Sequence, residues 1–382
     1  MDEPPRERKD TPLAQKVARR IRRHGPMSFS AFMEHALYEP GAGYYARERT
    51  AWDEQADFVT APQVGEAFGI AVASLAAECD AALGEPAHFD LLEFGGGDGT
   101  LLRDTCDAIR DGAPALYERL RVSSIERGDA SRCRQRRRLE RHAPRVRWPE
   151  RSDELPDSAL QGLVVSNELL DAFPVHRVVS RGGGIRELFV DVGERGFIER
   201  EGPPSDAAIA AYLDRNGIEL AEGQVAEICL GVRPWIGEVA RVLRRGFVLT
   251  VDYGSRTSSL YDSARSQGSL VCQYRYQLGA SPFERVGEQD ITAHVDLGNL
   301  RRCGAEVGLE EVGIIGLAAF LVGFGAAADA GLATTETDPG EDATRRHLGL
   351  RHLLFTEIGD AHRAVLQAKG VEPIEFGLSR LS

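Results

Sequence analysis

Two kinds of hydrophobic pattern alternate along most of the chain. Apolar residues at helical spacing run over residues 12–24 and again from Ser28, where the serine is a helix start signal. Short continuous apolar runs are instead typical of strands that are buried on both faces of a sheet. Further helices are predicted over 64–83, from Thr100, between 125 and 145 and over 234–244, and strands over 89–94, 121–125, 145–148, 163–166 and 246–254. This alternation predicts an α/β fold with a parallel sheet that helices cover on both faces.

The same pattern divides the chain into segments. From residue 181 to about residue 205, glycines, prolines and short alternating runs such as IRELFVDV indicate a small β-rich insertion. The polar stretch 328–345 has few large apolar groups and predicts a mobile loop. The expected segments are an N-terminal helical segment at 1–60 that packs on the core, a cofactor-binding core at 61–180, the β-rich insertion at 181–232 and the remainder of the core at 233–382.

Composition narrows the class of protein. The chain has 382 residues, of which 42% are hydrophobic, so it is long enough for a large buried core. Its net charge of −13 argues against a broad basic surface for nucleic acid. The arginine-rich stretch 132–147 is therefore interpreted as a solvated helix face, with steering of an acidic partner protein as the alternative.

Other features bear on the compartment. The six cysteines lie far apart without metal-ligand spacing, which indicates a reduced interior and no metal site. The charged N-terminus has no apolar segment after it, which excludes an ordinary secretory signal. Residues 312–328 are uncharged but shorter than the roughly 20 residues that a spanning helix needs, so they predict a buried strand and helix. Together these features predict a cytoplasmic protein without a membrane span.

A glycine-rich loop follows the predicted strand at 89–94. The stretch LLEFGGGDGT has glycines at 95, 96, 97 and 99, with Glu93 before them and Asp98 among them. A dinucleotide fingerprint needs a glycine in place of Thr100, and a phosphate loop needs a lysine nearby, so both are disfavoured. Acids here would repel a pyrophosphate but would balance the sulfonium and ammonium of S-adenosylmethionine. The alternative interpretation is a tight turn with two solvated acids.

Polar residues also end the neighbouring strands. Glu126 ends the second predicted strand, where a carboxylate is placed to accept hydrogen bonds from both ribose hydroxyls. The fourth strand ends in SNELLDAFPVHR, and ligands of open parallel sheets bind beyond such strand ends. The candidates in that segment are Asn167, Glu168, Asp171, Pro174 and His176. A helix cap formed by Asn167, with the two acids facing water, is the alternative.

Several uncommon motifs occur in a fixed order within residues 12–325. They are FMEHALYEPGAGYY, ADFVTAPQVGEAFG, LLEFGGGDGTLLRD, SNELLDAFPVHR, LTVDYG and GEQDITAHVDLGNL. In this combination the chain resembles the MidA family of class I methyltransferases, which includes a mitochondrial complex I assembly methyltransferase. The resemblance implies a seven-stranded, Rossmann-like methyltransferase core, S-adenosylmethionine as the cofactor, and an arginine of a respiratory complex I subunit as the methyl acceptor.

The resemblance also assigns residues by position. It implies that the cofactor is held by Glu93, Gly95, Gly97 and Gly99, that Glu126 binds the ribose, and that Thr60, Ala61 and Pro62 belong to a segment that closes over it. Asp98 and Asn167 complete the expected cofactor-binding set. The chain departs from the usual family pattern where Gly96 and Asp98 replace proline and arginine, and where Ala61 and Gln63 replace serine and glutamate.

The expected chemistry is in-line methyl transfer, in which the protein aligns the acceptor and excludes water without a metal. Glu168 and Asp171 are the candidates for a clamp, because paired carboxylates match the donor fork of a guanidinium and leave one nitrogen to attack. His176 is a candidate proton acceptor, although a structural role is more common for a single histidine. His294 has the same two interpretations, and Asp290 is expected to cap a helix from Ile291.

Two other functions are consistent with these residues. One is a methyltransferase with a small-molecule acceptor, and the other is a non-catalytic assembly or binding protein that keeps the fold. The sequence leaves the oligomeric state open, and a homodimer is one of the options.

Overall fold

The computed structural model describes residues 11–47, 62, 65–275, 277–279, 281–325 and 361–372. Thr60, Ala61 and Gln63 lie outside the described residues, and so does the loop predicted at 328–345.

Helices occupy most of the segments that the hydrophobic spacing predicted. The α-helices are Pro12–His24, Phe29–Tyr38, Ala67–Ala82, Thr100–Gly112, Pro114–Arg119, Asp129–Arg138, Ala207–Asn216, Val232–Val242, Thr257–Leu260, Leu297–Glu306 and Leu317–Gly323. Short 3-10 helices cover Glu140–Arg145 and Ser152–Glu154. None of the described helices is both long enough and apolar enough to cross a membrane.

The strands are numbered here in chain order. They are β1 Met27–Ser28, β2 Phe89–Phe94, β3 Leu120–Ile125, β4 Val146–Arg147, β5 Leu160–Asn167, β6 His176–Arg181, β7 Gly184–Gly193, β8 Gly196–Gly202, β9 Val225–Ile228, β10 Leu243–Ser255, β11 Leu270–Tyr274, β12 Gln277–Leu278, β13 Asp290–Ala293, β14 Val295–Asp296, β15 Glu310–Gly316 and β16 His362–Lys369.

One compact unit contains the described residues within 62–169, 233–254 and 300–372. Seven of its strands pair in the order β15-β16-β10-β5-β2-β3-β4. The pairs from β10 to β4 are parallel, which confirms the predicted α/β fold. β16 is antiparallel to both β10 and β15, so the last described strand in the chain lies between two strands made earlier.

The order of connection creates a switch point in this sheet. β2 leads outward to β3, whereas β5 lies on the opposite side of β2 and leads towards β10. Crevices form where successive connections leave in opposite directions, and ligands of such sheets bind there, beyond the carboxyl ends of the strands. The ends of β2, β3 and β5 are therefore the edge of the sheet where a site is expected.

The absence of a side chain at Gly162 permits the close approach of the central strands. Gly162 of β5 lies opposite Asp90 of β2 and Gly246 of β10. Its φ is +157°, and a Cβ there would lie 2.0 Å from the carbonyl oxygen of Asp90. Since that neighbour is backbone, it cannot rotate away.

We expect Gly162→Ala to lower the free energy of unfolding by about 3 kcal/mol, because the methyl group forces apart two central strands. Urea denaturation followed by circular dichroism would measure this. Gly237→Ala is the matched control: nothing lies within 4 Å of a Cβ at this helical position, and the change should stabilise by up to about 1 kcal/mol. Equal stability of Gly162→Ala and the wild type would contradict the close packing.

The other compact unit contains the described residues within 11–47, 170–232 and 255–299. Its larger sheet has the order β1-β7-β6-β9, with β8 on β7, and a smaller sheet has the order β12-β11-β13. The Pro12–His24 helix is capped by Thr11, whose Oγ1 accepts a hydrogen bond from the Ala14 amide at 3.0 Å. The helix buries Leu13, Ala14, Val17 and Ile21 within the hydrophobic core of this unit.

The β-rich part of the chain is larger than the repeated glycines and prolines indicated. The sequence placed it at 181–232, whereas the compact unit includes residues from 170 onwards and three strands within 176–202.

The helix expected to begin at Ile291 is absent, and that prediction was wrong. Asp290–Ala293 is a strand, β13, which pairs with β11. The Asp290 carboxylate accepts hydrogen bonds from the Ile291 amide at 2.9 Å and from the Tyr45 hydroxyl at 2.8 Å. An aspartate before apolar residues is consistent with a helix cap and with the start of a strand. Here the hydrogen bonds to β11 make the segment a strand.

Candidate functional site

The glycine loop joins β2 to the Thr100–Gly112 helix and turns through left-handed backbone. Gly95, Gly97 and Gly99 have φ values of 69°, 51° and 85°, which residues with a Cβ rarely adopt. The Gly95 amide donates to the Ile125 carbonyl at 2.9 Å, which fixes the start of the loop against β3. The loop thus presents backbone, without side chains, at the switch point.

Glu93 is the last acid of β2, and its side chain points into the protein. The residue is 2% exposed, and Oε2 is buried without a hydrogen-bond partner among the described residues. Burial raises the pKa of this carboxyl from 4.5 to about 8, and the nearby charges of Glu126 and Asp98 add to the effect. A buried acceptor without a donor is costly, which points to a ligand that supplies one.

Gly96 makes this position of the carboxylate feasible. A Cβ at Gly96 would lie 2.3 Å from Glu93 Oε2. The proline that is usual in the family would therefore displace the carboxylate, so this departure changes how Glu93 packs against the loop.

Glu126 follows β3, and its carboxylate lies against the same loop. Oε2 accepts a hydrogen bond from the Gly97 amide at 3.1 Å, and Oε1 accepts one from the Gly128 amide at 2.9 Å. Burial raises the pKa of Glu126, and these backbone hydrogen bonds oppose the increase. Each oxygen keeps a second lone pair, so the carboxylate can still accept from two hydroxyl groups.

Asp98 makes contacts within the protein that the sequence did not indicate. Its Oδ1 accepts from the Thr100 amide at 2.9 Å and from the Thr100 hydroxyl at 2.7 Å, at the start of the following helix. Its Oδ2 lies 3.1 Å from Arg138 Nη2. Both oxygens are therefore engaged within the protein. Asp98 stands where the family pattern has an arginine, and the ion pair with Arg138 compensates its negative charge. A direct contact of Asp98 with the cofactor stays a prediction.

Gln135 supports the glycine loop from the protein interior, and no sequence pattern predicted this contact. It is 0% exposed, and its Nε2 donates to the Gly97 carbonyl at 3.0 Å. Its Oε1 accepts from Trp148 Nε1 at 3.1 Å. A Cβ at Gly99 would lie 3.1 Å from Gln135 Cγ. The glutamine thus fills the space that the glycines leave on the inner side.

We expect Gln135→Leu to weaken S-adenosylmethionine binding about tenfold, because the Gly97 carbonyl and the Trp148 indole would lose their buried partners. Isothermal titration calorimetry would measure the change in Kd. Arg137→Gln is the matched control, since Arg137 is exposed on the same helix, and it should bind as the wild type does. Wild-type affinity in Gln135→Leu would show that the loop holds its shape alone.

Asn167 and Glu168 end β5 beside the loop. A Cβ at Gly95 would lie 2.7 Å from Leu169 Cδ1, which places the residues after β5 against the loop. Asn167 Nδ2 donates to Glu168 Oε1 at 3.2 Å, and Asn167 Oδ1 is buried without a hydrogen-bond partner among the described residues. Glu168 has a φ of +47°, which is strained for a residue with a side chain. The helix cap considered for Asn167 does not form, because no helix begins there.

Asp171 and His176 belong to the other compact unit. The Asp171 carbonyl accepts from the Ala293 amide at 2.9 Å. His176 begins β6, and its Nδ1 lies 2.8 Å from Oε1 of the buried Glu187. Burial disfavours ionisation of Glu187, but hydrogen bonds from His176 and Ser205 outweigh it and lower the Glu187 pKa. This geometry favours the structural interpretation of His176, and the clamp role of Asp171 stays a prediction.

Pro62 and His294 are the other predicted positions within the described residues. Pro62 is buried. His294 lines a small cavity with Tyr212, Glu227 and Asp296, and burial, together with the charge of Arg265, lowers its pKa. Both interpretations of His294 stay predictions.

The set of acceptors at the ends of β2, β3 and β5 fits S-adenosylmethionine. Glu93 offers a buried carboxylate oxygen to a cationic ligand, Glu126 offers acceptors for ribose hydroxyls, and the bare loop allows close approach of the ligand. Asn167 Oδ1 adds a neutral acceptor. These residues would hold the cofactor from the methionine end to the sugar.

Known proteins support this assignment. A Burkholderia thailandensis protein assigned as a methyl transferase and bound to S-adenosyl-homocysteine has a similar structure, with a TM-score of 0.83 and 31% identity, over 96% of this chain and 94% of that chain. The "Protein arginine methyltransferase NDUFAF7 homolog, mitochondrial" of Drosophila melanogaster is 25% identical over 331 residues, which cover 76% of this chain and 72% of the relative. The Homo sapiens protein arginine methyltransferase NDUFAF7, mitochondrial, is 24% identical over 78% of this chain and 70% of its own length.

These relatives overturn one expectation from the sequence. The prediction of a cytoplasmic protein was wrong, because the curated relatives are mitochondrial proteins. The lack of an apolar segment excludes only a secretory signal, because mitochondrial targeting segments are amphipathic and arginine-rich.

The family assignment rests on more than half of the sequence. A family assigned as S-adenosyl-L-methionine-dependent methyltransferases matches residues 71–315 of the 382. The strand order around the glycine loop, the carboxylates at the ends of β2 and β3, and the resemblance to MidA proteins agree with this match. The chain is an S-adenosylmethionine-dependent methyltransferase of the class I type and belongs to this family.

Proposed function

We propose that the protein transfers methyl groups to an arginine side chain of a protein substrate, and that this substrate is a subunit of respiratory complex I or a similar protein. The observation that carries the proposal is the strained Glu168 at the end of β5, beside the cofactor loop. The names of the relatives as protein arginine methyltransferases support it.

Glu168 has the chemistry that an arginine acceptor needs. A carboxylate matches the N–H fork of a guanidinium and draws its positive charge towards one side. The nitrogen on the other side then keeps more of its lone pair for attack. The hydrogen bond from Asn167 Nδ2 helps to hold the Glu168 carboxylate at the end of β5, near the switch point where ligands of such sheets bind.

The remaining steps follow from alignment. S-adenosylmethionine supplies a methyl group that its sulfonium already activates. Transfer of this methyl group to the acceptor nitrogen would release S-adenosyl-homocysteine, and the proton that the nitrogen gives up would pass to water. Glu93 and Glu126 hold the methyl donor, and Glu168 orients the acceptor, so the protein contributes mainly proximity and orientation.

The test is to incubate the purified protein with methyl-labelled S-adenosylmethionine and a lysate of cells that lack it, and to locate the label by mass spectrometry. We expect label on arginine in a respiratory-chain subunit. Label on lysine, or on a metabolite, would overturn the arginine proposal and favour a different acceptor class. Absence of any transferred label would also contradict it.

We expect Glu168→Gln to lower the rate of label transfer about tenfold, with the Kd for S-adenosylmethionine unchanged, because the amide cannot draw the guanidinium charge as the carboxylate does. Glu118→Gln is a suitable control, because the Glu118 side chain is 77% exposed. A loss of cofactor affinity in Glu168→Gln would place this residue in the cofactor site instead.

A further inference from the structure

Glu168 is held in its strained conformation from the β10 side. Its amide donates to the Val251 carbonyl at 2.9 Å, and the next amide, of Leu169, donates to Asp252 Oδ2 at 3.1 Å. Asp252 is 0% exposed, so water does not compete for this hydrogen bond. A residue with positive φ persists when its surroundings determine it in this way, and such residues cluster at functional sites.

His362 reaches the same carboxylate from β16. Its Nε2 lies 3.5 Å from Glu168 Oε1, the oxygen to which Asn167 also donates. The imidazole is 1% exposed. It packs on Tyr253, its cross-strand partner in β10, with ring centroids 3.7 Å apart. The ring is therefore fixed in position by its strand and by its neighbour.

These contacts fix both the backbone and the carboxylate of one residue. β10 sets the φ of Glu168, while Asn167 and His362 converge on one of its oxygens. A carboxylate aligned in this way presents a constant direction to an incoming guanidinium, and misplacement of such a group lowers the rate steeply. No local pattern predicts this contact, since His362 is 194 positions after Glu168.

We propose that His362 is a positioning residue that holds the Glu168 carboxylate for the acceptor, an inference that rests on the proposed function. His362 acts through Glu168 and does not touch the methyl donor. Loss of the imidazole therefore affects transfer to the acceptor and leaves cofactor binding intact.

The first experiment tests the contact without any acceptor. The full-length protein is labelled with ¹⁵N-histidine, and the His362 Nε2 resonance is assigned by its loss in His362→Phe. We expect Glu168→Gln to shift this resonance, because the charged neighbour is replaced by an amide. An unchanged Nε2 resonance in Glu168→Gln would overturn the proposal.

The second experiment tests the role of the contact. With methyl-labelled S-adenosylmethionine and the lysate described above, His362→Phe should lower the maximal rate of transfer about tenfold at an unchanged KM for S-adenosylmethionine. His362→Gln, which keeps a donor near the Nε2 position, should restore at least about a third of the rate. A wild-type rate in His362→Phe, or a raised KM, would overturn the positioning role.

A matched control separates this role from simple loss of a buried histidine. His142 is also 1% exposed, and its Nε2 lies 3.1 Å from Asp107 Oδ1. His142→Gln should keep the wild-type transfer rate. If the wild type labels no arginine while the Nε2 shift is observed, the proposed acceptor fails and the pair is a structural contact only, which overturns its role in positioning.

Discussion

Replacing Glu93 with glutamine is expected to stabilise the cofactor-free protein at alkaline pH and to weaken S-adenosylmethionine binding about 100-fold. The carboxyl has a pKa of about 8 in the folded protein, against an ordinary value of 4.5. The folded state thus binds this proton more tightly than the unfolded state does. Below pH 4.5 both states keep the proton, and stability is then lost as the pH rises from 4.5 to about 8.

The size of this loss of stability follows from the increase in the Glu93 pKa. The difference between the two pKa values of Glu93 lowers the free energy of unfolding by at most about 5 kcal/mol above pH 8. Glutamine removes this loss of stability because its amide does not ionise. Urea denaturation of the wild type and Glu93→Gln at pH 5 and pH 9 should show a gap that widens at the higher pH. The exposed Glu118→Gln should show no such gap. A constant difference between the two pH values would show that the Glu93 carboxyl is solvated in the folded state.

Glu93→Gln is expected to weaken S-adenosylmethionine binding, although it stabilises the cofactor-free protein. A cationic ligand favours the ionised carboxylate, so binding near pH 7 should release a proton from Glu93 and should tighten as the pH rises towards 8. Calorimetry in two buffers of different ionisation enthalpy measures that proton directly. Glu93→Gln should release none from this position, and equal proton release in variant and wild type would contradict the assignment.

Glu126→Ala is expected to raise the Kd for S-adenosylmethionine about 100-fold, which corresponds to about 3 kcal/mol. The ribose hydroxyls lose two charge-assisted acceptors, and the Gly97 and Gly128 amides lose their partner. Calorimetry on Glu126→Ala provides the measurement, and unchanged affinity would refute the ribose assignment.

A cofactor analogue without the ribose 2′-hydroxyl separates the two causes. If Glu126 binds the ribose, the variant should discriminate less between S-adenosylmethionine and the analogue than the wild type does. Gln135→Leu should keep the wild-type discrimination, because it loosens the loop without touching the acceptor of the hydroxyls. Equal discrimination in wild type and Glu126→Ala would assign the whole loss to the loop.

Local patterns predicted the part of the site that lies on consecutive residues. The apolar residues at 89, 91, 92 and 94 predicted β2 with its observed ends, although Asp90 and Glu93 lie among them. The glycines at 95, 97 and 99 marked the left-handed turns. Glu126 was found because parallel neighbours bring their carboxyl ends to one edge of the sheet.

Residues that act through distant packing were not predictable in this way. Gln135 lies in RCRQRRRLER, where a polar residue among arginines predicts a solvated face, yet its side chain is the buried support of the loop. His362 belongs to a strand whose partner in the sheet no local pattern reveals. The contacts of Asp98 with Thr100 and Arg138 were not predictable either, because Arg138 lies 40 positions after Asp98.

The position of β16 between β10 and β15 constrains how the protein is made. While residues 362–369 are still being synthesised, β15 has no partner on the side that β16 will occupy, and the facing edge of β10 is equally open. An uncovered strand edge is a template for pairing with other chains. The growing polypeptide thus passes through an aggregation-sensitive stage that ends only when its last described strand inserts, and the same insertion delivers His362 to Glu168.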